Sequence, residues 1–182
     1  MIIWILNLWE RLMEKQSYIG YHATSKQFAE SIFENNFEFS KKGWFGTGVY
    51  FYLDSIELAK HWLEKKGFPE KQIIKATIKV EPEFILDVRN PYSSDVFLFH
   101  RIREKIKKSI INKDIGVKTK QKNFDNATFN YIFRKKYKKM IIGNSFTYDN
   151  DEIVCYSIVP NGTEICVGAL EIIENKEVIY NE

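Results

Sequence analysis

Apolar positions recur with two periods along this chain, and the switches between them divide it into elements. Ile5, Leu8, Trp9 and Leu12 stand at helical spacing, which predicts a helix over residues 3–15. Ser17 to His22 reads as a strand. Phe28, Ala29, Ile32 and Phe33 return to the helical period behind Thr24 and Ser25, either of which can cap the helix, and Asn35-Asn36 ends it. A loop over 37–47 leads to a strand from Gly48 to Tyr52. Leu58, Ala59, Trp62 and Leu63 mark the next helix, opened by Asp54 or Ser55 and stopped by Gly67. From Ile73 to Val80 the residues alternate, which puts Ile74, Ala76, Ile78 and Val80 on one face. Phe84 to Val88 is a further strand, and Asn90-Pro91 a turn.

In the second half, Val96, Phe99, Ile102, Ile106 and Ile110 define an amphipathic helix with a basic outer face. A lysine-rich loop over 112–123 and a second basic helix over 125–139 follow. Three strands are then predicted, over 140–146, 152–159 and 163–167, with Pro160-Asn161-Gly162 as a hairpin turn between the last two. Ala169 to Tyr180 reads as a strand, a turn and a short strand. Strands at both ends with helices clustered between them make an α+β chain. Steady strand–helix alternation is missing, which argues against a doubly wound sheet. Gly46-Thr47-Gly48 precedes a strand, so it is no dinucleotide fingerprint, and no P-loop occurs.

Composition narrows this further. A length of 182 residues suits one domain, and 45% apolar residues exclude a disordered chain. Met1 to Leu8 is apolar but lacks a positive leading segment and a small-residue cleavage site, and is far shorter than the roughly 20 residues of a membrane span. Cys155 and Cys166 lie in apolar strand-like runs and read as small buried hydrophobes, not as a disulfide framework. His22, His61 and His100 show no metal spacing. A cytoplasmic, metal-free protein is the expectation. Net charge is only +3, but residues 101–139 hold fourteen Lys or Arg against three Asp or Glu. The rest of the chain is therefore acidic, and this asymmetry points to a polyanionic partner such as nucleic acid.

One stretch concentrates the candidate chemistry. His22-Ala23-Thr24 ends the first predicted strand, Gly46-Thr47-Gly48-Val49-Tyr50-Phe51 opens the second, and Glu164-Ile165-Cys166-Val167 follows the Pro160-Asn161-Gly162 turn. In order and spacing these motifs resemble the ADP-ribosyltransferase superfamily, in its diphtheria-toxin and poly(ADP-ribose) polymerase branch, with a His-Tyr-Glu triad on three separated strands. The likeness is specific from Tyr21 to about Trp62, moderate from Glu152 to Ile173, and undetectable in the basic middle. It departs from the pattern at Ala23, where the family has glycine, and at His61, where polymerase-type members carry a second stacking tyrosine. Tyr52 is also bulkier than the small residue common there. Gly162, two before Glu164, disfavours arginine as acceptor.

The resemblance implies one catalytic domain over 1–182 with two packed, mostly antiparallel sheets around an NAD cleft, and a basic helical insertion over 95–140. It implies His22, Tyr50 and Glu164 as catalytic residues, and NAD contacts from His22, Ala23, Thr24, Gly48, Tyr50 and His61. NAD would be the co-substrate and no metal would be needed. The bond broken joins ribose to nicotinamide through a transition state resembling that of glycoside hydrolysis. Tyr50 would stack on the nicotinamide, with His61 over its other face. The Ala23 backbone would hold the carboxamide, and His22, assisted by Thr24, a ribose hydroxyl. Glu164 would bind the 2′-hydroxyl and stabilise the developing charge. Glu152 and Glu171 are weaker candidates for that role. The expected activity is mono-ADP-ribosyl transfer to nucleic acid, with a protein acceptor as the alternative. A silent module that binds NAD or nucleic acid is the reading of another class. The resemblance also extends to bacterial and phage effectors and toxin–antitoxin toxins, which implies an antitoxin or inhibitor protein as a further partner.

Overall fold

A computed structural model describes residues 14–40, 43–111, 121–146 and 159–182. The described chain runs β1 (Gln16–Ser25), α1 (Lys26–Asn35), β2 (Val49–Leu53), α2 (Ile56–Lys66), β3 (Lys71–Val80), β4 (Ile85–Asp87), α3 (Ser94–Ile111), α4 (Gln121–Arg134), β5 (Met140–Ser145), β6 (Gly162–Val167) and β7 (Ile173–Asn181). The expected helix over 3–15, most of the loop at 112–123 and the strand at 152–159, with Cys155 and Glu152, lie outside the described residues.

Local signals set the first two helices. The Ser25 hydroxyl accepts from the Phe28 amide and caps α1, while the Asn36 amide donates to the Ile32 carbonyl at its end. Ser55 caps α2 in the same way, and Gly67, at φ 62°, closes it in the left-handed region that glycine enters at no steric cost.

The strands form a mixed, largely antiparallel sheet in the order β4-β5-β6-β2-β1-β3-β7, with only β4 and β5 parallel. This corrects the expectation of two packed sheets: the described strands make one. The join between its halves is narrow. β1 pairs with β3 over ten residues, but with β2 only at Gly20–Leu53 and Tyr21–Tyr52.

One face of the sheet buries Val49, Phe51, Ile74, Ala76, Ile78, Ile165 and Val167 against Ala29 and Ile32 of α1. The alternation read from Ile74 to Val80 is thus met, with all four residues fully buried. The opposite face carries two separate clusters. Phe99, Ile102 and Ile132 from α3 and α4 pack on Ile141 and Cys166. Ala59 and Leu63 of α2 pack on Tyr52 and Ile73. Along β6, Cys166 belongs to the first cluster and Gly162 lies under Leu58 of α2, so Glu164 falls between them.

Three sequence expectations are corrected here. Phe28 and Phe33 are exposed, because α1 meets the sheet through the narrower stripe of Ala29 and Ile32. The second basic helix begins at Gln121 and stops at Arg134, before Lys136 turns into the left-handed region at φ 55°. The tail is a short helical turn over Leu170–Ile172 followed by a single bulged strand, β7, because all of it pairs along β3.

Candidate active site

The site begins where the β1–β2 ladder fails. The Asp54 amide donates to the Ile19 carbonyl at 3.1 Å, which makes 19–54 a hydrogen-bonded pair of the antiparallel ladder. Tyr21–Tyr52 is the next such pair by the period of two, and Ala23–Tyr50 would follow. The ladder stops after Tyr21. In place of the missing pair, Nδ1 of His22 lies 2.8 Å from the Tyr50 carbonyl oxygen. The imidazole takes the acceptor that the Ala23 amide would have used. Ala23 is therefore left with its amide and carbonyl toward the parted edge, the complement of a planar carboxamide.

His22 is wedged among rings, edge-on to Phe37 at 5.2 Å and to Phe51 at 5.7 Å. Burial pushes its pKa below the ordinary histidine value, against the opposing effect of the bond to Tyr50. A neutral ring donating from Nδ1 keeps Nε2 as a lone-pair acceptor. Nε2 has no hydrogen-bond partner among the described residues, and it can accept from a hydroxyl. Thr24, two positions on and on the same face, is buried.

Tyr50 is positioned by the turn before it. Its hydroxyl donates to the Gly46 carbonyl at 2.6 Å and accepts from the Phe45 amide at 3.0 Å. A Cβ at Gly43 would fall 1.8 Å from the Tyr50 ring, so only glycine lets the turn close over the phenol end. Burial, reinforced by Cys166 beside it, raises the Tyr50 pKa far above the usual phenol range. The Tyr50 phenol is thus a neutral ring anchored to the turn through its hydroxyl. Gly48 is demanded by a close approach, since a Cβ there would meet Cys166 Sγ and the Val167 carbonyl at 2.6 Å. The buried Cys166 thiol is itself pushed up to about 12 and is inert.

Glu164 sits on β6, opposite Tyr52 of β2 and Gly143 of β5. Tyr50 faces Cys166, so Tyr50 and Glu164 are diagonal neighbours on one face, about 7–8 Å apart in a regular ladder. The carboxylate accepts from the Ser145 hydroxyl at 2.7 Å, and burial raises its pKa despite that bond. A buried carboxylate with one fixed partner keeps acceptor capacity for a ligand hydroxyl.

His22 and Ala23 thus reach the parted edge beside the Tyr50 backbone, but the strand alternation puts the His22 ring on the sheet face of Phe51 and Ile74, and the Tyr50 and Glu164 side chains together on the opposite face. His61 stands on α2, with Nδ1 3.9 Å from the Glu64 carboxylate. Glu171, itself exposed, reaches the half-buried Lys139 at 3.4 Å. Sequence reasoning missed Ser145 and Asn130. Ser145 is set by the β5–β6 register, and Asn130 reaches from α4 to accept from the Thr47 amide at 2.6 Å. Neither carries a signal in its own neighbourhood. Among the described residues no group of three His, Cys, Asp or Glu could hold a metal, and no helix is long and apolar enough to cross a membrane. No protein-family model and no curated protein sequence matches the chain, so the geometry of His22, Ala23, Tyr50 and Glu164 is the ground for any functional assignment.

Proposed function

We propose that this protein is an NAD-dependent mono-ADP-ribosyltransferase with nucleic acid as acceptor. The observation that carries the reading is the parted β1–β2 edge, where His22 replaces a ladder bond and frees the Ala23 backbone. That edge suits nicotinamide, because its carboxamide offers one acceptor and one donor side by side. The exposed part of the Tyr50 ring gives the nicotinamide a stacking surface. Nε2 of His22, unprotonated, accepts from a ribose hydroxyl. Glu164 accepts from the 2′-hydroxyl of the nicotinamide ribose.

In the reaction, the bond from ribose C1′ to the pyridinium nitrogen breaks and its electron pair leaves with nicotinamide, which departs neutral. The acceptor oxygen or nitrogen forms the new bond to C1′ and gives up its proton. Glu164 stabilises the positive charge that develops on the sugar, and its raised pKa suits it to take that proton. The basic run at 101–139 supports a nucleic acid acceptor through phosphate contacts.

The test is labelled NAD with a cell extract, run beside Glu164→Gln. Label that requires Glu164 and disappears with nuclease is expected. Label that disappears with protease would move the acceptor to protein. Unlabelled extract with no nicotinamide released by a folded protein would overturn the transferase reading and leave a binding module.

A further inference from the structure

The last turn of α4 carries more positive charge than the helix end uses. Cations at a helix C-terminus ordinarily serve its free carbonyls. Here backbone amides already take three of them. The Lys135 amide donates to the Tyr131 carbonyl at 3.0 Å, that of Lys136 to Phe133 at 2.8 Å, and that of Tyr137 to Ile132 at 3.2 Å. The side chains of Arg134 and Lys135 turn back over one ring instead. Tyr131 precedes them by three and four positions, which puts all three on one helix face. The Arg134 guanidinium carbon lies 5.7 Å and Lys135 Nζ 5.8 Å from the centre of the Tyr131 ring, both within cation–π distance. Tyr131 itself packs on the apolar cluster beneath α3 and α4, so the ring is a fixed platform. Tyr137 stands beside it, with ring centres 6.5 Å apart at 61°, and is 51% exposed.

Two like charges over one ring repel each other, and no anion offsets them. Arg134, Lys135 and Lys136 are all exposed, and none has a carboxylate partner among the described residues. The next two lysines differ, since Lys138 reaches Asp95 at 3.1 Å and Lys139 reaches Glu171 at 3.4 Å. Lys136 adds an independent sign. It turns into the left-handed region at φ 55°, where a helix end of this shape favours glycine. The chain keeps a charge there against the preference of its backbone. A separate exposed stripe on α3, Arg101, Lys105 and Lys108 at helical spacing, has no ring within cation–π distance among the described residues.

We propose that this end of α4 binds a single-stranded nucleic acid, with phosphates on Arg134, Lys135 and Lys136 and a base on the Tyr137 ring. A single strand offers phosphates and open base faces in alternation, and so meets cations and a ring side by side. A duplex keeps its base faces stacked, an acidic peptide offers carboxylates alone, and an anionic lipid surface offers phosphate without a base. The surface is also joined to the candidate site. Asn130, one position before Tyr131, holds the Thr47 amide in the turn that seats Tyr50. Tyr131 and Tyr50 pack on the same cluster. The inference deepens the proposed function by naming where the strand lies, and rests on it only for the strand's role as acceptor.

The test is binding of the full chain, without NAD, to a single strand of roughly 12 nucleotides, a length within known site sizes, and to an abasic strand of equal length. Polyglutamate and phosphatidylserine-containing vesicles serve as the other polyanions. The intact strand is expected to bind about tenfold more tightly than the abasic one, and Tyr137→Ala should narrow that ratio. Arg134→Ala combined with Lys135→Ala should weaken both strands alike and flatten the slope of log affinity against log salt by about 1.4, from two phosphates at about 0.7 each. Lys136→Gly should flatten it by about 0.7 while raising the Tm, a pairing that a merely structural lysine does not give. All four side chains replaced are exposed, so the fold is retained. Equal binding of the two strands, no binding of either, or a ratio unchanged by Tyr137→Ala would overturn the proposal. So would an unchanged slope in the double variant, or polyglutamate or vesicles binding as tightly as the strand. Nicotinamide release from NAD is measured separately. Its absence with strand binding intact sinks the transferase and spares this surface, and release without strand binding does the reverse.

Discussion

Glu164 is pulled in two directions, and each makes a measurable demand. Burial favours its protonated form, while the proposed chemistry needs the carboxylate. Glu164→Gln should lower nicotinamide release about 10²–10³-fold, the usual cost of one electrostatic stabiliser. The same substitution should make the fold more stable at neutral pH. Because the folded pKa is raised, the native state binds the proton more tightly than the unfolded chain. Wild-type stability contributed by this group is therefore full below the ordinary glutamate value of about 4.3, and is lost as pH rises through the raised value. Glutamine loses nothing. Thermal unfolding across pH should show the two proteins converging in acid and separating above the carboxylate range; a gap independent of pH would count against it. His22 has the opposite sign. Its pKa is depressed, so its contribution is present above about 6.5 and lost as pH falls through the folded value. Its ring resonances in NMR should stay at the neutral position at pH 6.5, and a half-protonated ring there would contradict the lone pair assigned to Nε2.

At the scale of elements, the turn over 43–47 and β2 act as one piece, tied by the Tyr50 hydroxyl. Tyr50→Phe keeps the stacking ring and removes both bonds to the turn. Stability should fall by about 1–3 kcal/mol in denaturant titration, from two hydrogen bonds and a buried carbonyl left unpaired. A loss of nicotinamide release without any loss of stability would show that the hydroxyl acts in chemistry instead. Much of this was legible in the sequence where the signals are local. The caps of α1 and α2, the left-handed glycine at 67 and the alternation along β3 depend on neighbours a few positions apart. The His-Tyr-Glu motifs were legible as residues in order. What the motif glycine at 48 does was not, because its demand comes from Cys166 and Val167, more than a hundred residues away. Ser145 and Asn130 were invisible for the same reason. Phe28 and Phe33 misled because periodicity gives the width of an apolar face, while the sheet surface decides how much of it is covered.

On the scale of the whole molecule, the expected two sheets become one because two residue pairs bridge them, and two pairs leave no trace in periodicity. The same narrow join explains the site, since strands held by so short a ladder part immediately beyond it. Charge is the other global property, and it was legible from the start. Residues 101–139 are strongly basic on an otherwise acidic chain. On the described part of that run, Lys107 lies 3.8 Å from Glu104, Arg103 is bonded to Asp125, and Lys138 to Asp95. Among the described residues, Arg101, Lys105 and Lys108 stay exposed without a carboxylate partner. If these three meet phosphates, each displaces condensed counterions from a single strand, worth about 0.7 in the slope of log affinity against log salt. Replacing all three with glutamate should therefore flatten that slope by about 2 and weaken binding at low salt. An unchanged slope would place the strand elsewhere and leave the stripe to an acidic protein surface.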